Sequence, residues 1–195
     1  EVYLRLAQMN CSVVDSTCTY VSRIQRLVKQ AHDAGKQVIL VGRADHPEII
    51  GINGACENQA TILETADEAE KLAFNDDTYV LASQTTHSVQ EFDKITRILR
   101  NKIANLEIFD TICIATQKRQ KESLELATES DVMLVIGSQS SSNTRKLLET
   151  CRVVSEENYL IETIEDLDKL LTEGRLAKKK VGITAGASSP ESIIR

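Results

Sequence analysis

The stretch Val14-Asp15-Ser16-Thr17-Cys18 and the run Val38-Ile39-Leu40-Val41-Gly42 are each repeated 95 residues further along the chain. They recur as Phe109-Asp110-Thr111-Ile112-Cys113 and within the run 132–137 (VMLVIG), whose glycine is 95 positions after Gly42, with cysteine and glycine 24 positions apart in both copies. Matched spacing of this kind predicts a duplicated structural unit. In each copy a cysteine lies at the start of a helix, and small polar residues follow a strand.

Short β-branched runs alternate with helical patterns on either side of these stretches. Apolar residues at helical spacing predict a first helix that one of residues 15–17 caps and Gly35 ends. Thr65-Ala66-Asp67-Glu68 predicts a capping box that opens a second helix. We expect α/β units with mostly parallel sheets, divided into residues 1–18, 19–108 and 109–195. The predicted strands are 38–41, 60–63, 79–82, 132–136, 159–161 and 180–184. The helices predicted in the second copy cover about 114–128, the residues from about 144, and 164–171.

Length and composition limit the classes of protein to consider. With 195 residues, 42% of them hydrophobic, the chain can bury a core as one or two domains. A net charge of −6 argues against sequence-independent nucleic-acid binding, and no apolar run reaches the length of a membrane span. Five scattered cysteines without a CxxC pair or a secretory signal favour reduced thiols or metal ligands, so we expect a cytoplasmic protein.

Polar, small-residue segments follow four of the predicted strands. Because ligands bind beyond the carboxyl ends of parallel strands, these segments predict a shared site. The alternative is a duplication that carries no common site. The four segments are residues 42–48, 84–86, 137–143 and 184–190.

Cys18 and Cys113 occupy matched positions at the mouths of two predicted helices. A helix N-terminus stabilises a thiolate, the state that ligates a metal or an iron–sulfur centre. Taken singly, each cysteine is better explained as a small buried hydrophobe, and the matched pair favours a metal site. Cys11, Cys56 and Cys151 have no partner in the repeat, and we interpret them as structural or incidental.

The segments also supply candidate anion and proton groups. His46 lies two residues before Glu48, so a donor for phosphate and a proton relay are adjacent, although an exposed turn explains the same residues. Ser141, Ser142 and Asn143 predict either an anion site or a plain helix cap. His32 and His87 are interpreted as surface or structural residues. Neither a Gly-x-x-x-x-Gly-Lys loop nor a dinucleotide fingerprint is present, so a nucleotide cofactor has no support.

Six ordered motifs along nearly the whole chain resemble the 4-hydroxy-3-methylbut-2-enyl diphosphate reductase family of iron–sulfur enzymes. The resemblance implies three similar α/β units in a pseudo-threefold arrangement around a central cluster, of which this chain contains two complete units and the end of a truncated N-terminal one. The motifs are Asp15-Ser16-Thr17-Cys18, Gly42 with His46-Pro47-Glu48-x-x-Gly51, Gln84-Thr85-Thr86, Cys113 with Ala115-Thr116-Gln117-x-Arg119-Gln120, Ser141-Ser142-Asn143-Thr144-Arg145 and Thr184-Ala185-Gly186-Ala187-Ser188-Ser189-Pro190.

This resemblance also implies roles for individual residues. Cys18 and Cys113 match two of the three cysteines that bind a [4Fe–4S] cluster, while Glu48 matches the proton donor. Thr85 matches a hydroxyl that acts beside the allylic alcohol, and Thr86 lies next to it in the substrate-binding segment. The positions that match diphosphate-binding residues are His46, Ser141, Ser142, Asn143 and Ser188.

The implied activity is reductive removal of the C4 hydroxyl of the allylic diphosphate, with electrons from a protein such as ferredoxin or flavodoxin. The third cluster ligand is expected in the missing N-terminal unit, so we expect the 195-residue chain alone to be inactive. Thr19 and Gln25 depart from the family pattern, which commonly has Pro and His there. The alternative is a diphosphate-binding fragment without a cluster.

Overall fold

The computed structural model describes residues 2–187 and 189, and it has the alternating order expected of an α/β protein. The helices are α1 Val2–Gln8, α2 Thr19–Asp33, α3 Pro47–Asn53, α4 Ala66–Lys71, α5 Val89–Lys102, α6 Ile114–Thr128, α7 Ser142–Arg152 and α8 Ile164–Thr172, with one 3₁₀ turn at Gly54–Cys56. The strands are β1 Gln37–Val41, β2 Thr61–Leu63, β3 Thr78–Ser83, β4 Asn105–Ile108, β5 Val132–Ile136, β6 Asn158–Ile161 and β7 Val181–Ala185.

The two repeated strands each lie inside a parallel sheet. β1 lies between β2 and β3 in a sheet of order β2-β1-β3-β4, and β5 lies between β6 and β7 in a sheet of order β6-β5-β7. Every strand pairing within the described residues is parallel, which confirms the predicted α/β class. The division into units at residues 18 and 108 stays a prediction, as does the third unit; the two sheets fall on either side of residue 108.

Alternating side chains of β1 explain why this strand is apolar from Val38 to Val41. Val38 and Leu40 pack with α2 and α3, whereas Ile39 and Val41 pack with α4 and α5. The strand is therefore covered on both faces, as its continuous apolar sequence predicts. In the second sheet, one apolar cluster lies against α6 and α7 and another against α8.

Helix ends follow the local sequence with one exception. Thr65 and Glu68 form the predicted capping box of α4, and Gly35 follows α2 with a φ of +74°, a conformation that favours glycine. The expectation that one of residues 15–17 caps α2 is wrong, because Cys18 occupies the N-cap position. The carboxylate of Asp15 instead accepts a hydrogen bond from the backbone amide of Thr17, which closes a turn before the helix.

Four elements differ from the sequence expectations, and the first is α1, since no helix was expected before residue 15. β4 has only two apolar residues, Leu106 and Ile108, and was not predicted. α3 begins at Pro47 inside a segment expected to be a loop, and α7 begins at Ser142 rather than near Thr144. Among the helices of the described residues, none combines the length and the apolar character needed to cross a membrane.

Candidate functional site

Equivalent glycines end the two repeated strands. Gly42 has a φ of +157° and Gly137 a φ of +145°, and their backbone amides donate to Leu63 and Ile161, the last residues of β2 and β6. A Cβ atom on Gly42 would lie 2.9 Å from the Cβ of Gln84, and one on Gly137 would lie 2.6 Å from the hydroxyl of Thr144. Glycine therefore lets a neighbouring polar segment pack directly against each strand end.

Glu48 and Thr85 form a two-point contact between α3 and the segment after β3. The Thr85 backbone amide donates to Oε1 of Glu48 at 2.7 Å, and the Thr85 hydroxyl donates to Oε2 at 2.9 Å. Thr85 is buried and Glu48 is half-buried. The carboxylate is therefore fixed in orientation by two donors from one residue.

His46 is the N-cap residue of α3. Its Nδ1 accepts a hydrogen bond from the backbone amide of Glu48 at 3.2 Å. A ring that accepts through Nδ1 carries its proton on Nε2 when neutral, so Nε2 is left as a donor. The capping role and a donor role at Nε2 are compatible, since they use opposite nitrogens.

The turn before Cys113 is bonded to the same segment. The Cys113 amide donates to the carbonyl oxygen of Thr85 at 3.0 Å. Thr111 is buried, and its hydroxyl bonds to the backbone of Ser83, accepting from the amide at 2.7 Å and donating to the carbonyl at 2.8 Å. The cysteine position and the Glu48–Thr85 pair are therefore parts of one hydrogen-bonded framework.

Cys18 and Cys113 have closely similar backbone geometry. Both are N-cap residues, with φ and ψ of −52° and 133° at Cys18 and of −60° and 133° at Cys113, and neither side chain caps its helix. A groove between α2 and residues 108–114 is lined by Tyr20 and Arg23 on one side and Asp110 on the other. Both thiols thus lie at helix N-termini and neither has a side-chain capping bond, a position where a thiolate is stabilised and a cluster ligand could be supplied.

The other cysteines have different surroundings. Cys56 and Cys151 are fully buried in apolar clusters, and burial raises the pKa of both thiols, that of Cys151 to about 11. A buried thiol of this kind disfavours the thiolate that a metal needs. Cys11 is exposed. Within the described part of the chain, no three His, Cys, Asp or Glu side chains come together as a metal site.

The three polar residues at the start of α7 have different surroundings, and only one of them caps the helix. Ser141 is the N-cap residue, and its hydroxyl accepts from the amide of Thr144 at 3.3 Å, as the capping interpretation predicts. Ser142 accepts from the side-chain amide of Gln84 at 3.2 Å. Asn143 is buried, and neither its oxygen nor its nitrogen has a hydrogen-bond partner among the described residues. An orphaned buried amide costs about 1–3 kcal/mol, which a ligand at this position would offset.

The remaining predicted residues are placed as follows. Thr86 is half-buried, and its hydroxyl accepts from Gln84 at 2.8 Å. Ser188 lies outside the described residues. Hydrogen bonds join Glu48 to Thr85 and Gln84 to Ser142. Cys18 is not joined to these residues: it is exposed, and its thiol has no hydrogen bond within residues 2–187 and 189.

Two glutamines carry contacts that the sequence did not assign. Gln84 is 2% exposed and Gln120 is 5% exposed, and both donate across the gap between the two sheets. Their signal in the sequence is membership of the ordered motifs, and Gln84 also lies among small polar residues. His87 is also buried, and burial followed by the charge of Lys146 lowers the pKa of its imidazole to about 4.

The whole chain, residues 1–195, matches the profile of the LytB protein family. A protein of Clostridioides difficile strain 630 named 4-hydroxy-3-methylbut-2-enyl diphosphate reductase is 40% identical over 196 residues, covering 100% of this chain and 68% of its own length. A protein of the same name from Caldanaerobacter subterraneus subsp. tengcongensis is 38% identical over 194 residues, covering 100% of this chain and 66% of its own length.

Two solved structures that are similar to this chain are also reductases. The E-1-hydroxy-2-methyl-but-2-enyl-4-diphosphate reductase of Plasmodium falciparum matches with a TM-score of 0.89 and 27% identity, covering 98% of this chain and 60% of that one. A second reductase structure, described as the terminal enzyme of the non-mevalonate pathway, matches with a TM-score of 0.58 and 32% identity, covering 99% of this chain and 68% of that one. The chain thus spans about two thirds of the length of the two relatives from Clostridioides difficile and Caldanaerobacter subterraneus, and it belongs to the LytB family.

Proposed function

We propose that this chain carries the substrate-binding and proton-delivery groups of a 4-hydroxy-3-methylbut-2-enyl diphosphate reductase. The reaction breaks the carbon–oxygen bond of the C4 hydroxyl, takes up two electrons and two protons, and releases water with isopentenyl or dimethylallyl diphosphate. The observation that carries the proposal is the two-point pairing of Glu48 with Thr85, one hydrogen bond from the turn that presents Cys113.

Glu48 and Thr85 supply the proton to the leaving hydroxyl. The Thr85 hydroxyl bonds to one carboxylate oxygen, and its backbone amide bonds to the other, so the carboxyl group is held in one orientation. A carboxyl group held in this way can protonate a hydroxyl placed against it, and general acid catalysis contributes about 10²–10⁴-fold in rate. Water then leaves in place of hydroxide, which is a poorer leaving group.

Donors at the strand ends bind the diphosphate. The Ser141 and Ser142 hydroxyls each accept one internal hydrogen bond, so their protons stay available to a phosphate oxygen. Asn143 contributes a side-chain amide that has no hydrogen-bond partner in the part of the chain that the structure describes. His46 contributes Nε2 from the other sheet, and Ser188 and Thr86 complete the proposed set.

Cys18 and Cys113 would hold a [4Fe–4S] cluster as two of its three protein ligands. Such a cluster, when bound, supplies the electrons and an open iron that polarises the substrate hydroxyl. We assign the third ligand to a cysteine outside these 195 residues, because Cys56 and Cys151 are buried in the cores and Cys11 lies outside the repeated turn. A small electron-transfer protein such as ferredoxin or flavodoxin is the proposed donor, and the cytoplasm is the proposed compartment.

A diphosphate-binding protein without a cluster is the second candidate, favoured by the presence of only two matched cysteines in this chain. Anaerobic reconstitution of the full-length protein with iron and sulfide separates the two candidates. Reductase function requires the broad visible absorption of an iron–sulfur cluster and conversion of the allylic diphosphate. Diphosphate binding without either result would support the second candidate.

The role of Glu48 is tested by Glu48→Gln, which keeps the shape of the side chain and removes its acidic proton. We expect turnover to fall by about 10²–10⁴-fold with diphosphate affinity retained. Glu57→Gln is the matched control, since the Glu57 side chain is exposed and its carboxylate lies 3.9 Å from His32 rather than against Thr85. Near-normal turnover of Glu48→Gln would remove Glu48 from proton delivery.

A further inference from the structure

In the first two turns of α6, the side chains of Gln117, Arg119 and Gln120 each bond to a different segment of the proposed site. Gln117 donates to both carboxylate oxygens of Asp110, at 3.2 and 3.1 Å, and to the carbonyl of Ile112 at 2.9 Å, which holds the turn before Cys113. Arg119 donates to the carbonyl of Ala185 at the end of β7, at 2.8 Å. The proposed function uses none of these side chains.

Gln120 uses both ends of its side-chain amide, one as a donor and one as an acceptor. Its Nε2 donates to the carbonyl of His87 at 2.9 Å, and its Oε1 accepts from the amide of Val89 at 3.0 Å. The two partners are a carbonyl and an amide, so only one orientation of the side-chain amide satisfies both. Val89 is the first residue of α5, and its amide is one of the donors that a helix start leaves without an intrahelical partner.

The segment between β3 and α5 is thereby bonded to α6 at two points. The Cys113 amide holds the Thr85 carbonyl, and Gln120 holds His87 and Val89 further along. Thr85 lies between strand β3 and these anchors, and it is the residue that orients Glu48. The position of the Glu48–Thr85 pair relative to Cys113 therefore depends on both anchors.

We propose that Gln120 is a positioning residue for the reaction, which fixes the Thr85 segment, and through it the Glu48 carboxyl group, relative to the Cys113 thiol. This inference rests on the proposed reductase function. Gln120 is buried beneath the segment and acts through Thr85. Its loss leaves the His87 carbonyl and the Val89 amide without this partner and frees the segment to shift, and a displacement of about 1 Å at a reacting group can cost about 100-fold in rate.

Two substitutions in the full-length protein separate hydrogen bonding from packing. Gln120→Met keeps the length of the side chain and removes both hydrogen bonds. Gln120→Glu keeps the acceptor for Val89 but donates to His87 only when its carboxyl group is protonated. Ser123→Ala is the matched control, because Ser123 is buried one turn further along α6 and bonds to Thr184 instead, at 2.8 Å.

We expect Gln120→Met to retain the cluster absorption and a nearly unchanged KM, while kcat falls by about 10- to 100-fold. Ser123→Ala should keep the kcat of the unsubstituted protein. Gln120→Glu should regain activity relative to the unsubstituted protein as the pH is lowered, because protonation restores the second hydrogen bond. An unchanged kcat in Gln120→Met, or an equal loss in Ser123→Ala, would overturn the proposal.

Hydrogen exchange followed by mass spectrometry gives a readout that does not depend on activity. Peptides covering residues 84–92 should exchange faster in Gln120→Met than in Ser123→Ala, while peptides of β1 stay protected in both. Equal exchange in residues 84–92 would also overturn the proposal. An inactive unsubstituted protein with its cluster loaded would instead overturn the reductase function, and the exchange result would still decide whether Gln120 anchors the segment.

Discussion

The side-chain amide of Gln84 donates to the hydroxyl of Ser142 at 3.2 Å, and this hydrogen bond joins the end of β3 in the first sheet to the start of α7 beside the second. The same amide donates to Thr86 at 2.8 Å. The side-chain nitrogen of Gln84 thus bonds to two residues of the proposed substrate site, Thr86 after β3 of the first sheet and Ser142 in α7 beside the second. The repeat explains this arrangement, because both segments follow strands whose carboxyl ends carry polar residues.

Gln84→Leu removes both hydrogen bonds while keeping a side chain of similar size. We expect the free energy of unfolding to fall by about 1–3 kcal/mol, because the buried Ser142 hydroxyl loses its partner. Urea unfolding measures this change, and titration with inorganic diphosphate should show weaker binding. Gln139→Leu is the control, since Gln139 is exposed near the same helix start. Equal effects of the two substitutions would contradict the bridging role.

Asn143→Ala separates ligand binding from helix capping at α7. The substitution removes two buried polar atoms that have no partner among the described residues, so we expect no loss of folding stability. Diphosphate binding should weaken by about 1–3 kcal/mol, the scale of a lost hydrogen bond to a charged group. Calorimetry with inorganic diphosphate and thermal unfolding measure the two quantities on the same sample.

Ser141→Ala is the matched comparison and should show a loss of stability. Ser141 caps α7, and removing a serine cap costs about 0.5–2 kcal/mol of stability. Loss of stability in Asn143→Ala with unchanged diphosphate affinity would mean that the segment serves only to start the helix.

The sequence predicted the elements that local chemistry determines. β5 and residues 38–41 of β1 are apolar because each is covered on both faces, and the α4 capping box depends on Thr65 and Glu68 alone. β4 was missed because half of its short sequence is polar, and α3 because Pro47 and Gly51 favour a loop.

The hydrogen bonds that assemble the proposed site could not be predicted from the sequence, because they join residues far apart along the chain. Gln84 and Ser142 are 58 residues apart, and Gln120 is 33 residues from His87 and 31 from Val89. No periodicity links such positions. They meet because α6 and α7, which pack on the second sheet, also contact the segment after β3 through these hydrogen bonds. Their identities as motif residues were visible in the sequence, whereas their partners were not.

The buried imidazole of His87 predicts a pH dependence of stability. Burial, with a smaller effect of Lys146, lowers its pKa from 6.5 to about 4 in the folded protein, while Glu91 acts in the opposite direction. Between about pH 6.5 and pH 4 the imidazole is protonated in the unfolded chain but stays neutral in the folded protein. The free energy of unfolding therefore falls as the pH drops towards about 4 and then levels off. The full loss is on the order of 3 kcal/mol.

His87→Leu should flatten this part of the stability profile, measured as the free energy of unfolding against pH. His32→Gln is the control, because the His32 side chain is 24% exposed and lies 3.9 Å from the carboxylate of Glu57. A profile of His87→Leu with the same slope as that of the unsubstituted protein would show that other groups cause the acid destabilisation.

The matched cysteines predict how iron is bound. If each unit contributes one thiolate at its turn, the 195-residue chain offers two ligands, and we expect it to hold much less iron and sulfide than the full-length protein. In the full-length protein, Cys18→Ser and Cys113→Ser should each abolish the visible iron–sulfur absorption, since a cluster loses one of its three thiolates. Cys11→Ser is the control, because Cys11 is an exposed thiol seven positions before Cys18 and outside the repeated turn. Stoichiometric iron and sulfide in the 195-residue chain, lost on Cys11→Ser, would instead identify Cys11 as the third ligand.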